Sequence, residues 1–188
     1  MGKTIVLFRS EYGYTKTYAE MIAKELGCDI REASELSVGS LMEYDTVIFG
    51  GGLYASGING IDFIKQNFAA LQKKNLVVWA TGLCPGRPSE LQQVWKHNFT
   101  DDMLKKIHTF YLRGGFDYQK LSRAHKIMMN ALKLKIKMTR NRSEDEEGLL
   151  KAYEVPENHC DRRNIAELTA YVRSLQENLF TAFQEPCQ

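Results

Sequence analysis

The chain has 188 residues, 44% of them hydrophobic and 26% charged, with a formal net charge of +2. This is ordinary globular composition, long enough for one domain with a proper core, and it excludes a largely disordered chain. The near-neutral balance names no partner, and four scattered cysteines (Cys28, Cys84, Cys160, Cys187) without a Cys-x-x-Cys pair predict reduced thiols, with no metal site and no disulfide framework.

Strands and helices alternate. Ile5–Phe8 is an apolar run and predicts the first strand, entered so early that no signal peptide is expected. Val6 stands where an N-myristoylation start would need Ser or Thr. The turn Ser10-Glu11-Tyr12-Gly13-Tyr14-Thr15 leads into a helix over Thr15–Leu26, with Tyr18, Ile22 and Leu26 on one face and Gly27 as its stop. Cys28–Ala33 predicts a short second strand and Thr46–Phe49 a third, ended by Gly50-Gly51-Gly52. Ile61–Leu71 has helical spacing in Phe63, Ile64, Phe68 and Leu71. Leu76–Ala80 predicts strand four, followed by a loop with Pro85, Gly86 and Pro88 and a helix near Ser89–His97. Ile107–Leu112 predicts strand five, and Arg163–Leu175 the last helix. Near-continuous apolar strands separated by helices imply an α/β, doubly wound, five-stranded parallel sheet with helices on both faces. A single domain over residues 1–178 is expected, with a C-terminal tail over 179–188. No apolar run approaches the length of a membrane span.

One segment interrupts the alternation. Residues 119–142 carry eight cations and no acid. Leu121, Ala124, Ile127, Met128, Ala131, Leu132 and Met138 recur at helical spacing with most of the cations on the other side, which predicts a basic amphipathic helical insertion after strand five. The acidic run Glu144–Glu147 follows, closed by Gly148. Such a helix covers the sheet, lies on an anionic membrane surface or borders an apolar anionic substrate. Nucleic acid is not expected, because aromatic residues are not interleaved with the basic ones.

The chemistry is expected in three loops at the carboxyl ends of the strands, where ligands sit in this architecture. The first lacks the spacing of both common nucleotide loops. The hydroxyls of Ser10 and Thr15, with the backbone amides from Tyr12 to Thr15, suit one terminal phosphate at a helix N-terminus, which points to flavin mononucleotide (FMN). An ordinary capped turn is the alternative. In the second loop, Gly50-Gly51-Gly52-Leu53-Tyr54-Ala55-Ser56-Gly57, glycines admit a flat ligand and Tyr54 can stack on it. In the third, Thr81-Gly82-Leu83-Cys84-Pro85-Gly86-Arg87, amides can meet the polar edge of a flavin ring, while Arg87 is expected to be a plain exposed arginine. His97, His108, His125 and His159 are expected to be satisfied or solvated. No side chain is nominated as catalyst, since a flavin would carry the chemistry.

The three loops in this order resemble the flavodoxin-like family, through Ser10, Gly13 and Thr15, then Leu53 or Tyr54, then Thr81, Gly82 and Leu83. The resemblance implies strand order 2-1-3-4-5 and an FMN site formed by Ser10, Glu11, Tyr12, Gly13, Tyr14, Thr15, Gly52, Leu53, Tyr54, Ala55, Thr81, Gly82 and Leu83. Leu112–Tyr118, His125–Met129 and Lys135–Met138 resemble the flavodoxin-like protoporphyrinogen dehydrogenases that pass electrons to quinone. That likeness implies a cytoplasmic FMN-dependent oxidoreductase with a small redox substrate or a quinone as partner. It also implies peripheral contact with the inner face of the cell membrane through 119–142. An exposed amphipathic insertion leaves a homodimer open. Two other functions compete: an electron carrier for protein partners, disfavoured by a pI of about 8.3, and a non-catalytic membrane-associated module.

Overall fold

The computed structural model describes residues 2–182, with no side chains described beyond Glu177. In chain order the elements are β1 (Thr4–Arg9), α1 (Tyr14–Leu26), β2 (Asp29–Glu32), β3 (Thr46–Tyr54), β4 (Gly57–Ile58), α2 (Asp62–Gln66), α3 (Phe68–Leu71) and β5 (Asn75–Gly82). There follow α4 (Pro88–Asn98), α5 (Asp101–Leu104), β6 (Ile107–Arg113), β7 (Gly115–Phe116), α6 (Arg123–Met138), α7 (Glu144–Ala152), β8 (Glu157–Asn158) and α8 (Ala166–Ala182).

Five strands pair in parallel in the order β2-β1-β3-β5-β6. Alternate residues of each strand feed two separate cores. Ile5, Leu7, Val47, Phe49 and Val78 pack with Ile64, Leu71 and Val94 from α2, α3 and α4. Val6, Ile48, Val77 and Trp79 pack with Tyr18 and Ile22 of α1 and with Leu168 and Val172 of α8. Burial on both faces is the reason the strands read as unbroken apolar runs. The chain turns one way from β1 to β2 and the other way to β3, so a crevice opens where β1 and β3 end.

Several expectations are corrected. Gly50, Gly51 and Gly52 do not end the third strand; β3 continues through them to Tyr54, in register with Trp79, Ala80 and Thr81. A Cβ on Gly50 would lie 1.9 Å from the Trp79 ring, and one on Gly51 2.4 Å from the Asn59 carbonyl. The glycines therefore make room for neighbours inside the sheet. The helix expected over Ile61–Leu71 is two short helices interrupted at Asn67, whose Nδ2 donates to the Phe63 carbonyl at 2.8 Å. A side chain that bonds the preceding turn competes with helix continuation. Gly148 does not close the acidic run but sits inside α7. Glu144–Glu147 form the first turn of that helix, where carboxylates meet the positive end of its dipole, and Ser143 with Glu146 makes a capping box.

The excursion between β6 and α8 is pinned at both ends by an antiparallel ribbon, with Gly115 opposite Asn158 and Phe116 opposite Glu157. A Cβ on Gly115 would meet the Glu157 carbonyl at 2.3 Å, so a close backbone approach holds this closure. Within the excursion, the apolar stripe expected on α6 is divided between two faces. Ile136 is its buried residue, while Ile127 and Met138 of the expected stripe are 73% and 78% exposed. The last helix runs to Ala182, past the expected start of the tail; residues 183–188, including Cys187, and Met1 lie outside the described residues. Among the described residues no helix is long and apolar enough to cross a membrane.

Candidate functional site

At the carboxyl end of β1 the chain turns through Ser10–Gly13 into α1. Gly13 has φ +93°, a left-handed conformation that L side chains rarely adopt, and nothing lies within 4 Å of where its Cβ would be. Backbone conformation, not space, selects glycine there. Ser10 Oγ accepts the Gly13 N–H at 3.2 Å. The amides of Tyr14 and Thr15, at the start of α1, find no acceptor among the described residues. Thr15 is only 3% exposed and its hydroxyl makes no hydrogen bond, yet no buried side-chain polar atom is left unsatisfied. Its Oγ1 therefore opens on the cleft that Thr15 lines.

The second wall comes from the hairpin between β3 and β4. Ala55 and Ser56 have φ +47° and +69°, the two left-handed positions of a tight hairpin turn. Asn98, at the end of α4 and 5% exposed, holds this hairpin from below. Its Oδ1 accepts from the Ile58 amide at 2.9 Å, and its Nδ2 donates to the carbonyls of Ser56 at 2.7 Å and Val94 at 2.8 Å. Tyr54 is thus presented on a braced support. Burial pushes its hydroxyl pKa well up, and likewise that of Tyr111, so both rings are neutral donors.

The third wall is the end of β5. Thr81 Oγ1 accepts from the buried Trp79 indole at 3.1 Å. The carbonyls of Gly82, Leu83 and Cys84 accept from the Gly114 amide at 2.7 Å, Arg113 Nε at 2.9 Å and Tyr111 Oη at 2.6 Å. The amides of Leu83 and Cys84 are left without an acceptor among the described residues. With its carbonyls pinned from behind, this loop can turn donors toward a ligand.

The fourth wall comes from the insertion, for which a place beside a substrate was one of three expectations. Helix α6 crosses over the cleft and contributes His125, Met128, Met129 and Leu132; α7 contributes Leu149. Two ties hold this roof. Tyr12 Oη meets His125 Nδ1 and accepts from the Ser122 amide at 3.3 Å, while Glu11 Oε1 lies 3.4 Å from His125 Nδ1. On the far side, Arg87 bonds both Glu90 and Asp145 of α7, so it pairs with protein carboxylates instead of standing free. His125 also stacks on Tyr54. The histidine is satisfied, as expected, but satisfied inside the site.

The four walls enclose a cleft of about 320 Å³, within the range of small-molecule sites. Ser10, Tyr12, Tyr14, Thr15, Gly52, Leu53, Tyr54, Ala55, Thr81, Gly82 and Leu83 all line it. Glu11 and Gly13 do not; Glu11 reaches toward Tyr12 and His125, and Gly13 shapes the turn. Sequence reasoning offered the insertion as a border to a substrate but named none of its residues, nor Tyr111, Phe116 or Asp117, as cleft residues. Of these, Phe116, Asp117, His125, Met128 and Met129 stood in the segments that carry the resemblance to the dehydrogenases. Among the described residues no group of acids, histidines and cysteines could hold a metal ion.

FMN can be tested against these residues. The free amides of Tyr14 and Thr15 and the unpartnered Thr15 hydroxyl form a donor set that fits a phosphate dianion. Glycine at 52 lets the Tyr54 ring lie against the strand, since a Cβ there would meet that ring at 2.9 Å. The walls beyond it are apolar and aromatic, and the Leu83 and Cys84 amides offer donors at the far end. The residues fit the group.

A family model described as Flavodoxin domain matches residues 5–144. A comparison with curated proteins gives no match. Among solved structures, the WrbA-like flavodoxin from Agrobacterium tumefaciens is 19% identical, covering 52% of this chain and 69% of that one, with a TM-score of 0.39. Oxidised flavodoxin 2 from Bacillus cereus is 15% identical, covering 59% and 84%, with a TM-score of 0.42. A flavoprotein from Lactobacillus acidophilus, solved in complex with FMN, is 14% identical, covering 60% and 93%, with a TM-score of 0.38. With the family model spanning most of its length, the chain belongs to the flavodoxin domain family.

Proposed function

We propose that the protein binds FMN in the roofed cleft and acts as an oxidoreductase on an apolar small molecule. In the finer reading it is of the protoporphyrinogen dehydrogenase type and hands electrons to a quinone, working peripherally at the cytoplasmic face of a membrane. The observation that carries this is the joining of an unfilled donor set at Thr15 to an apolar chamber under α6. Membership in the flavodoxin family supports FMN as the cofactor. Bound there, FMN would supply a ring that accepts and returns electrons.

The residues divide the work. Ser10, Thr15 and the amides of Tyr14 and Thr15 would hold the phosphate, with the dipole of α1 adding favourable potential. Tyr54, braced through Asn98, would orient the ring by stacking, and the Leu83 and Cys84 amides would donate to its polar edge. Met128, Met129 and Leu132 line the cleft and offer an apolar surface on which a flat hydrophobic substrate can rest. An electron carrier for proteins needs its cofactor edge open to a partner, and here that approach is covered by α6.

The test is direct. Purified protein is mixed with FMN, its visible spectrum is recorded, and anaerobic oxidation of a porphyrinogen is followed with a quinone as acceptor. FMN bound with porphyrinogen-dependent quinone reduction supports the whole reading. FMN bound without that turnover removes the dehydrogenase assignment, and absence of FMN binding removes both.

A further inference from the structure

Helix α6 has two apolar faces, and only one is used by the fold. His125, Met129, Leu132 and Ile136 look inward, over the cleft and the core. At 100° per residue the opposite side carries Ala124, Ile127, Ala131, Leu134 and Met138 as one stripe. Ile127, Leu134 and Met138 are 73%, 62% and 78% exposed, and both alanines are exposed too. Lys135 borders the stripe on one side, and Arg123 and Lys137 on the other.

The charges on this helix are uncompensated. Among the described residues no carboxylate is within ion-pair distance of Arg123, Lys126, Lys133, Lys135, Lys137 or Arg140. Elsewhere the protein pairs its arginines closely, as in Arg162 and Arg173 with Glu25, or Arg163 with Asp161. Lys126 and Lys133 rest against the rings of Tyr118 and Tyr153. The cations bordering the outward stripe are exposed.

We infer that the outward face of α6 docks on an anionic phospholipid surface, with Ile127, Leu134 and Met138 entering the acyl boundary and Arg123, Lys135 and Lys137 meeting lipid phosphates. This deepens the membrane element of the reading above by assigning its surface and its lipid chemistry. A helix flat on a bilayer needs an apolar stripe edged by cations, and that pattern is present. A second copy of the chain fits poorly, because two such faces would set like charges against each other. A nucleic acid fits poorly, because the stripe has no aromatic ring to stack on. Since the same helix roofs the cleft with its other face, docking would bring the cleft to within one helix diameter, about 10 Å, of the lipid. A substrate dissolved in the bilayer would then reach it without crossing water.

The test is co-sedimentation of the full-length protein with phosphatidylcholine vesicles, with and without phosphatidylglycerol. Two double variants, Lys135→Gln with Lys137→Gln and Ile127→Ser with Leu134→Ser, are compared with wild type. Melting temperature and FMN binding are followed on the same samples. Binding only to the anionic vesicles is expected. It should weaken roughly thirtyfold when the two lysines are neutralised, and roughly tenfold or more when the two apolar residues become serine. Both variants should keep wild-type melting and FMN binding. Failure of the wild type to bind anionic vesicles overturns the inference, as does equal binding by wild type and both variants. Self-association that the serine variant abolishes, without vesicle binding, assigns the face to a second copy and also overturns it. FMN binding is read separately, so loss of the lipid result leaves the flavin reading standing, and the reverse.

Discussion

Tyr54 and His125 stack face to face, with ring centroids 5.2 Å apart and planes 15° apart. One ring belongs to the hairpin after β3 and the other to the roof, so this pair closes the cleft from opposite sides. A planar ring lying between them would need two van der Waals gaps of about 3.5 Å each. The observed spacing is smaller, and His125 must withdraw before a flat ligand can take its place against Tyr54. Replacing it removes a stack and the roof's tie to Tyr12 together. His125→Ala is expected to speed FMN association about two- to tenfold, from a stacking energy of about 0.5–1.5 kcal/mol. Stopped-flow quenching of flavin fluorescence measures it; an unchanged rate would show that the pair does not gate entry.

Gly50 and Trp79 set the middle of the sheet. A methyl group at Gly50 would fall inside the indole, 1.9 Å from Cζ2, and Trp79 is fully buried with its N–H bonded to Thr81. Neither side can give way cheaply. Gly50→Ala should destabilise the fold by about 1–3 kcal/mol or more, read as a lower urea midpoint with Trp79 fluorescence as probe.

Asn98 reaches the site through the hairpin it braces. Asn98→Ala leaves the buried Ile58 amide and two carbonyls with one partner fewer. A loss of about 1–3 kcal/mol is expected. FMN affinity should fall with it, because Tyr54 loses its fixed position. Thermal unfolding and a flavin titration on the same variant check the two effects.

Asp161 makes stability sensitive to acid. The Arg163 side chain, then the Arg163 amide, hold its carboxyl down from 3.8 to about 2. The unfolded chain therefore binds this proton first as pH falls. The contribution is intact above pH 3.8 and is lost as pH drops through about 2. Asp161 caps the 3-10 turn Arg162–Ile165 that starts α8. Asp161→Ala should lower stability at neutral pH and flatten the acid limb of a stability profile in that window.

The sheet was legible because its residues are apolar on both faces, a property each strand displays locally. The first loop was legible for the same reason: Ser10, Gly13 and Thr15 are neighbours in sequence and serve one turn. What could not be read depends on residues far apart. Gly50 and Gly51 look like a loop until Trp79 and Asn59 are known to lie against them. Periodicity found an amphipathic helix at α6 but could not say which residues face the protein, because a 3.6-residue pattern carries no information about which of two apolar stripes meets it. His125 gave no sign of its place, since its partners Tyr12 and Tyr54 come from two other loops.

The central claim is that the donors around Thr15 hold a phosphate, and one titration addresses it. FMN and riboflavin differ only by that phosphate, and binding of each is compared in wild type and in Thr15→Val by flavin fluorescence. With charge-assisted hydrogen bonds worth about 1.5–3 kcal/mol each, FMN should bind wild type at least about a hundredfold more tightly than riboflavin. Thr15→Val should lose about tenfold or more for FMN and leave riboflavin unchanged. Equal affinity of wild type for the two flavins, or no binding of either, would contradict the account.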